Sequence, residues 1–161
     1  MLQKVDVMAK EMVYIANLIK RAVTGPAWHG PALDHVLEGI GAEQAVAHPI
    51  PNAHSIWELT LHVAAWAEIA RARLKGERIA DPPAHEDWPP LPANPDAAAW
   101  DAAQVRMRDA YRALAYDARH LEDESMHDTM SGLEYSRWVL LHGVVEHGLY
   151  HAGQIALLKK L

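Results

Sequence analysis

Apolar residues recur at helical spacing from the start of the chain, and they predict a first helix over residues 1 to about 23. Thr24-Gly25-Pro26 follows and predicts the end of that helix. A short helical piece is expected over residues 32–40, and the prolines of the segment 47–52 then predict a loop. The apolar positions of the first helix are Val5, Met8, Met12, Ile15 and Ile19.

A second helix is predicted to begin after Ser55 and to run to about Lys75, with Gly76 as its stop. Ser55 and Glu58 have the spacing of a capping box, in which the serine caps the backbone and the glutamate reaches back to it. Glu58 also lies one turn before His62, which would place it near a metal in the alternative interpretation. The capping role already accounts for Glu58, so we favour it.

Residues 79–94 carry five prolines and predict a long connection without regular structure of its own. Such a connection is uncommon in a compact domain unless it has a role. Helix two would be about 30 Å long, and an extended link of about 15 residues reaches about 50 Å. The link can therefore return the chain to the starting end and leave helices two and three parallel. A lid over a site is the functional alternative, which the topological explanation makes unnecessary.

Asn94-Pro95-Asp96 predicts the start of a third helix, with the proline in its first turn. Ser131 and Glu134 repeat the capping-box spacing and predict the start of a fourth helix that continues to the C-terminus. Four long helices around one core predict an all-α fold, a four-helix bundle. The buried side of helix three is marked by Trp100, Met107, Leu114 and Leu121.

Two histidines of the fourth helix, His147 and His151, are four residues apart and therefore lie on one helical face. The same face carries apolar residues on either side of the pair, so it is a core stripe with polar side chains in its middle. Buried imidazoles need partners, because an unsatisfied buried polar group costs roughly 1–3 kcal/mol. A divalent metal suits two neutral imidazoles. The rest of the face is Leu140, Val144, Gln154 and Leu158.

His62 is the candidate third ligand, because it interrupts an apolar stripe of the second helix that includes Leu59, Trp66 and Ile69. Histidines on the buried faces of two helices are what a metal site in a bundle core requires. Three protein ligands and one open position are typical of a catalytic rather than a structural site.

Composition narrows the class of protein. At 161 residues, half of them apolar, the chain is long enough for one globular domain with one substantial core. The formal net charge of −6 argues against nucleic acid as the main partner. No apolar run approaches the roughly 18 residues of a membrane span, and the first residues lack the layout of a secretory signal, so a cytoplasmic location without membrane association is expected. The absence of cysteine excludes disulfides, a cysteine-ligated zinc and a thiol nucleophile of the protein's own.

The other histidines are expected to be ordinary solvated residues near helix ends and in loops. They are His29, His35, His48, His54, His85, His120, His127 and His142.

Two segments together resemble the DinB/YfiT-like family of metalloenzymes, and the likeness covers nearly the whole chain. The first is Ser55-Ile-Trp-Glu-Leu-Thr-Leu-His62-Val-Ala-Ala-Trp66. The second, which is the more specific, is Glu146-His147-x-x-Tyr150-His151-x-Gly153-Gln154-Ile155.

The resemblance implies that residues 1–161 form a single DinB-like domain, a four-helix bundle of up-down-down-up topology. It implies that His62, His147 and His151 bind one divalent metal ion per chain, zinc or nickel, and that the protein forms homodimers. The family includes enzymes that transfer low-molecular-weight thiols such as bacillithiol, and relatives of a mycothiol-dependent isomerase. The resemblance supplies no general base.

The leading hypothesis is therefore a metal-dependent transferase that joins a small thiol cosubstrate to an electrophilic small molecule. Coordination to a dication lowers the pKa of a thiol, which is near 8.5 when free. Gln154 and Tyr150 are candidates to orient bound groups, with a hydrogen bond inside the bundle and a packed aromatic ring as the respective alternatives. Trp57 and Trp66 are expected in the core.

Two alternatives use the same three histidines. A hydrolase would activate water and would need Glu58 or Glu146 as a base. A metal-stabilised binding or stress-response module would catalyse nothing. His147 is not followed by the glutamate that zinc proteases use, so that motif is excluded.

Overall fold

The fold is all-α, as predicted. The computed structural model describes residues 11–78 and 80–161, and these contain helices and isolated bridges but no β-strand. The helices are α1 (Glu11–Thr24), α2 (Leu33–Leu37), α3 (Ala42–Val46), α4 (Ile56–Leu74), α5 (Ala84–Asp87), α6 (Ala97–Arg119), a 3-10 helix (Asp123–Ser125) and α7 (Arg137–Leu158).

Four helices, α1, α4, α6 and α7, provide most of the core, which is one contiguous cluster. The helical spacing read from the sequence is confirmed where it can be compared, since Met12, Ile15 and Ile19 of α1 are buried. The predicted first turns at Val5 and Met8 lie outside the described residues. No described helix has both the length and the hydropathy needed to cross a membrane.

Paired contacts show the relative direction of α4 and α6. Near the start of each helix, the rings of Trp57 and Trp100 have their centres 5.1 Å apart. Near the end of each, Arg71 Nε donates to Asp117 Oδ2 at 2.6 Å. Residue numbers rise together along both helices, so α4 and α6 run in the same direction, as expected from the long link between them.

Helices α4 and α7 run in opposite directions. His62 meets His147, whereas Arg73, eleven residues further along α4, donates to Tyr135, which precedes α7. The up-down-down-up order remains a prediction, and both of these helix pairs agree with it.

The start and end of α4 are local effects of its sequence. Ser55 Oγ accepts from Glu58 N–H at 3.2 Å, and Glu58 Oε2 accepts from Ser55 N–H at 2.7 Å, which confirms the capping box. Burial of the Glu58 carboxyl tends to raise its pKa, but the Ser55 N–H and His48 bonds hold the pKa below its usual value. Gly76, with φ at +72°, takes the left-handed conformation that stops the helix.

The start of α7 differs from the prediction. The helix is capped by Ser136, whose hydroxyl accepts from Val139 N–H, so the predicted capping box of Ser131 and Glu134 is wrong. Residues 131–134 form a turn instead, because Met130 N–H donates to Tyr135 O across an isolated bridge. Gly132 in that turn has φ at +75°, which an α-helix cannot contain.

Two smaller differences concern the flanks of the helices. Pro95 lies before the α6 cap, which is Asp96, rather than in the first turn. The piece expected over 32–40 is confined to α2, and α3 follows it in a segment for which the sequence predicted no helix.

The two serines at the α7 entrance give a direct test of where the helix begins. We expect Ser136→Ala to lower the free energy of unfolding by about 0.5–1 kcal/mol, because Val139 N–H loses its acceptor. Ser131→Ala should change it by less than about 0.3 kcal/mol, because an exposed turn residue contributes little. Urea denaturation of the three proteins measures both values, and a larger effect at Ser131 would place the cap there after all.

Candidate metal centre

The three predicted histidines meet between α4 and α7. His147 Nε2 lies 3.0 Å from His62 Nε2 and 3.0 Å from His151 Nε2. One nitrogen from each ring lies within 4.8 Å of the others, which is close enough for one ion. His62 and His151 are buried and His147 is half-buried. The structure therefore brings together the three residues that helical spacing selected, one from α4 and two from successive turns of α7.

Hydrogen bonds on the far side of two rings fix which nitrogen carries the proton. His62 Nδ1–H donates to the carbonyl oxygen of Asp87 at 2.6 Å, because a carbonyl can only accept. His151 Nδ1–H donates to Gln154 Oε1 at 2.7 Å. When neutral, both rings therefore turn an unprotonated Nε2 towards His147.

Neither neutral tautomer of His147 can form hydrogen bonds to both neighbouring rings. A proton on its Nε2 can be donated to only one of the two facing lone pairs. A proton on its Nδ1 has no acceptor, since Nδ1 is buried without a hydrogen-bond partner. One cation at the meeting point would accept all three lone pairs. The donor set thus fits a divalent metal better than it fits an internal hydrogen-bond network.

Two of the three nitrogen separations, those made by His147, also fit such an ion. Nitrogen ligands 2.0–2.1 Å from a tetrahedral zinc lie about 3.3 Å from one another. The observed 3.0 Å separations are within a few tenths of an ångström of that value.

The protonation of the three rings favours metal binding as well. Burial lowers the pKa of each imidazole, although the bonds to Asp87 and Gln154 partly oppose this for His62 and His151. Burial and the two neighbouring rings together lower the pKa of His147 to about 3. All three are therefore neutral at neutral pH, the form in which histidine binds a metal.

The proline-rich link supplies residues of this site that the sequence did not single out. It contains the short helix α5, so the expectation of a link without regular structure is wrong. The Trp88 ring stacks on His62 with centres 3.8 Å apart, and His54 stacks on the opposite face of Trp88 at 3.5 Å. Asp87 Oδ1 accepts from Trp66 Nε1 at 2.7 Å. The link thus covers one side of the three histidines.

The two tryptophans expected in the core behave differently. Trp57 is fully buried, as predicted. Trp66 is half-buried and its ring centre lies 5.7 Å from that of His147, so it forms a wall of the site rather than part of the core.

Beside the histidines lies a cavity of about 850 Å³, within the size range of sites for small ligands. Its walls are mostly apolar, and all three histidines line it together with Gln154 and Tyr150. Gln154 holds His151, as the sequence suggested it could. Tyr150 is 65% exposed with its ring centre 5.0 Å from that of His151, so it stands at the mouth and is not a packed aromatic.

Neither glutamate considered as a base belongs to the cavity lining. Glu58 is engaged in its cap and accepts from His48 at 2.8 Å, and Glu146 is exposed. His48 and His54 are exposed, as expected for the remaining histidines, but His54 also lines the cavity against Trp88.

Comparison with known proteins agrees with the resemblance noted in the sequence. Residues 27–155 match the family model described as the DinB superfamily. The chain belongs to the DinB superfamily. The matched region contains both histidine segments of this DinB protein, from α4 and from α7. No curated protein and no solved structure matches significantly. Membership and the three-histidine cluster are together compatible with a metal-binding protein.

Proposed function

We propose that this DinB protein is a divalent-metal-dependent enzyme in which His62, His147 and His151 hold one ion beside the substrate cavity. The observation that carries this proposal is the convergence of three ring nitrogens, two of them fixed as lone pairs by the bonds to Asp87 and Gln154. Zinc and nickel are the ions we expect, since imidazole suits both.

The reaction we propose is transfer of a low-molecular-weight thiol to a small electrophile. A bound dication would lower the pKa of the thiol and favour thiolate at neutral pH. The chain has no cysteine, so the sulfur must come from the cosubstrate. A carbon–sulfur bond forms while the bond from that carbon to its leaving group breaks, and the leaving group departs with the electron pair. The thiol proton balances the charge of the leaving group.

The residues of the chain would contribute orientation and exclusion of water. Asp87 and Gln154 hold two imidazoles in position, and such outer partners typically affect metal affinity 10–100-fold. Trp66 and Trp88 provide flat apolar walls on which an acceptor can lie. The hydroxyl of Tyr150, at the mouth of the cavity, can donate a hydrogen bond to a bound substrate.

Hydrolysis is the competing reaction, and the position of the carboxylates disfavours it. Among the described residues that line the cavity, Asp87 is the only carboxylate. Its Oδ1 accepts from Trp66 and lies 3.4 Å from His62 Nδ1, so this oxygen holds the walls of the site in place.

One set of assays separates the candidate functions. Protein purified without a nickel column is analysed for metal content, stripped with chelator and reloaded with zinc or nickel. We expect about one ion per chain, and we expect turnover of an activated haloarene reporter that requires both a small thiol and the metal.

Cysteine, glutathione and mercaptoethanol serve as the thiols, and a nitrophenyl ester tests for hydrolysis. Ester cleavage without any thiol would support the hydrolase. Metal binding with neither activity would contradict an enzyme of either kind and would leave the binding module.

A further inference from the structure

Arg73 is a buried cation in the same cavity as the three histidines. Its side chain is only 5% exposed and it lines the cavity. It lies eleven residues after His62 in α4, which is close to three full turns and about 16 Å along the axis, so the two share a face of the helix. The cavity therefore has a guanidinium on one side of the histidines, about three turns of α4 away from His62.

The contacts of Arg73 leave its charge without a buried counter-ion among the described residues. Nη1 donates to Tyr135 Oη at 2.6 Å. Nη2 donates at 3.3 Å to the carbonyl oxygen of Ala80 and at 3.3 Å to Asp81 Oδ1. The Asp81 side chain is fully exposed, so solvent screens that pair. Nε is buried and has no hydrogen-bond partner among the residues that the structure describes.

The guanidinium group of arginine is a permanent cation in proteins. Its carbon lies 5.6 Å from the centre of the Trp66 ring and 5.9 Å from that of Tyr135, and these aromatic faces compensate only part of the lost hydration. A buried charge ordinarily requires a paired opposite charge. Trp66 also faces His147, so a single indole spans the distance between the guanidinium and the metal ligands.

We propose that Arg73 binds the carboxylate of a small substrate, and that the apolar body of this substrate fills the cavity between Arg73 and the histidines. The walls between Arg73 and the histidines suit such a body, since Leu140 and Val144 line them. Arginine is the side chain best matched to a carboxylate, because its planar set of N–H donors fits the two carboxylate oxygens. This assignment deepens the proposed function by naming the substrate class, and it rests on that function for the reacting end.

A purely structural role for Arg73 gives a different expectation. In that case the guanidinium only fastens Tyr135 and residues 80–81 to α4. Its removal would then weaken the fold without changing the relative affinities of charged and neutral ligands.

The experiment compares 4-phenylbutyrate with its uncharged amide on metal-free protein in the presence of chelator. Calorimetric titration should show the carboxylate binding at least tenfold more tightly than the amide. Arg73→Met should remove this preference while the affinity for the amide stays within about threefold. Tyr135→Phe is the matched control, because it deletes a partner of Arg73 but keeps the charge, and it should retain the preference.

Because metal is absent, this test can fail while the three histidines still bind an ion, and it can succeed if they do not. Equal affinities in the wild-type protein, a preference that survives in Arg73→Met, or no carboxylate binding at 10 mM would each overturn the proposal.

Since loss of a buried arginine can prevent folding, wild-type crystals soaked with a brominated phenylbutyrate provide a second measurement. We expect the anomalous bromine signal in the cavity and the carboxylate on the guanidinium of Arg73; a carboxylate placed elsewhere would refute the assignment.

Discussion

Replacing His147 with alanine should abolish stoichiometric metal binding. The three rings face one another, and the Nε2 of His147 is 3.0 Å from the Nε2 of each of the other two. Loss of an outer hydrogen-bond partner commonly weakens a metal site 10–100-fold, so loss of one of the three ligands should weaken it more than about 100-fold. Competition with a chromophoric chelator measures the affinity, and elemental analysis measures the metal content.

The matched control is His142→Ala. His142 is a half-buried histidine of the same helix, but its Nδ1 bonds to Trp138 O and its ring stacks on Trp138, away from the cavity. We expect the His142→Ala protein to bind the metal with the affinity of the wild type. Metal at 100 times its dissociation constant should stabilise the wild type and His142→Ala by about 2.7 kcal/mol and His147→Ala hardly at all. If His147→Ala kept one ion per chain with an affinity within tenfold of wild type, the centre would lie elsewhere.

The parts that sequence predicted well depend on local periodicity. His147 and His151 share a face because any helix places residues four apart together. His62 could be selected because it interrupts an apolar stripe of a helix whose start is marked by Ser55 and Glu58. Neither inference needs to know how the helices pack, and the structure brings the three rings together.

The residues that sequence missed come from the long link. Asp87 and Trp88 reach the histidines only because the link folds back over α4, and nothing in a proline-rich segment fixes that path locally. A weak signal was present in Trp88, a large aromatic residue among prolines that would not be expected to stay in solvent. Arg73 was missed for a similar reason, since its burial depends on Tyr135 and on the turn after α4.

The start of α7 shows the limit of motif reading. Ser131 and Ser136 both precede an apolar helical stretch, and only the first has a glutamate at the capping-box position. The bridge between Thr129 and Ser136 holds residues 131–134 in a turn, so the helix begins after Ser136. This bridge is a contact across the turn, and the sequence around either serine alone does not reveal it. Gly132, directly after Ser131, argues against a helix that begins there, because glycine has a low helix propensity.

Gly148→Ala should destabilise the protein by about 1–3 kcal/mol, although alanine is the better helix former. A Cβ at this position would lie 2.5 Å from Tyr111 Oη and 3.3 Å from its Cζ. Tyr111 is fully buried and its hydroxyl donates to Val144 O, so the ring can yield only by giving up this bond or by moving its neighbours. The absence of a side chain at Gly148 thus makes room for the Tyr111 ring of α6 beside α7, one residue away from His147.

Two further variants show whether this close approach is the cause. Gly153→Ala in the same helix meets nothing within 4 Å and should gain about 0.5–1 kcal/mol from helix propensity alone. Tyr111→Phe removes the obstructing oxygen, so combining it with Gly148→Ala should recover at least half of the loss caused by Gly148→Ala alone. Urea denaturation provides the free energies of unfolding of all five proteins, and the double-mutant cycle formed by four of them isolates the coupling between positions 111 and 148. A Gly148→Ala protein as stable as Gly153→Ala, or no coupling with Tyr111→Phe, would show that the Tyr111 hydroxyl does not limit the space beside Gly148.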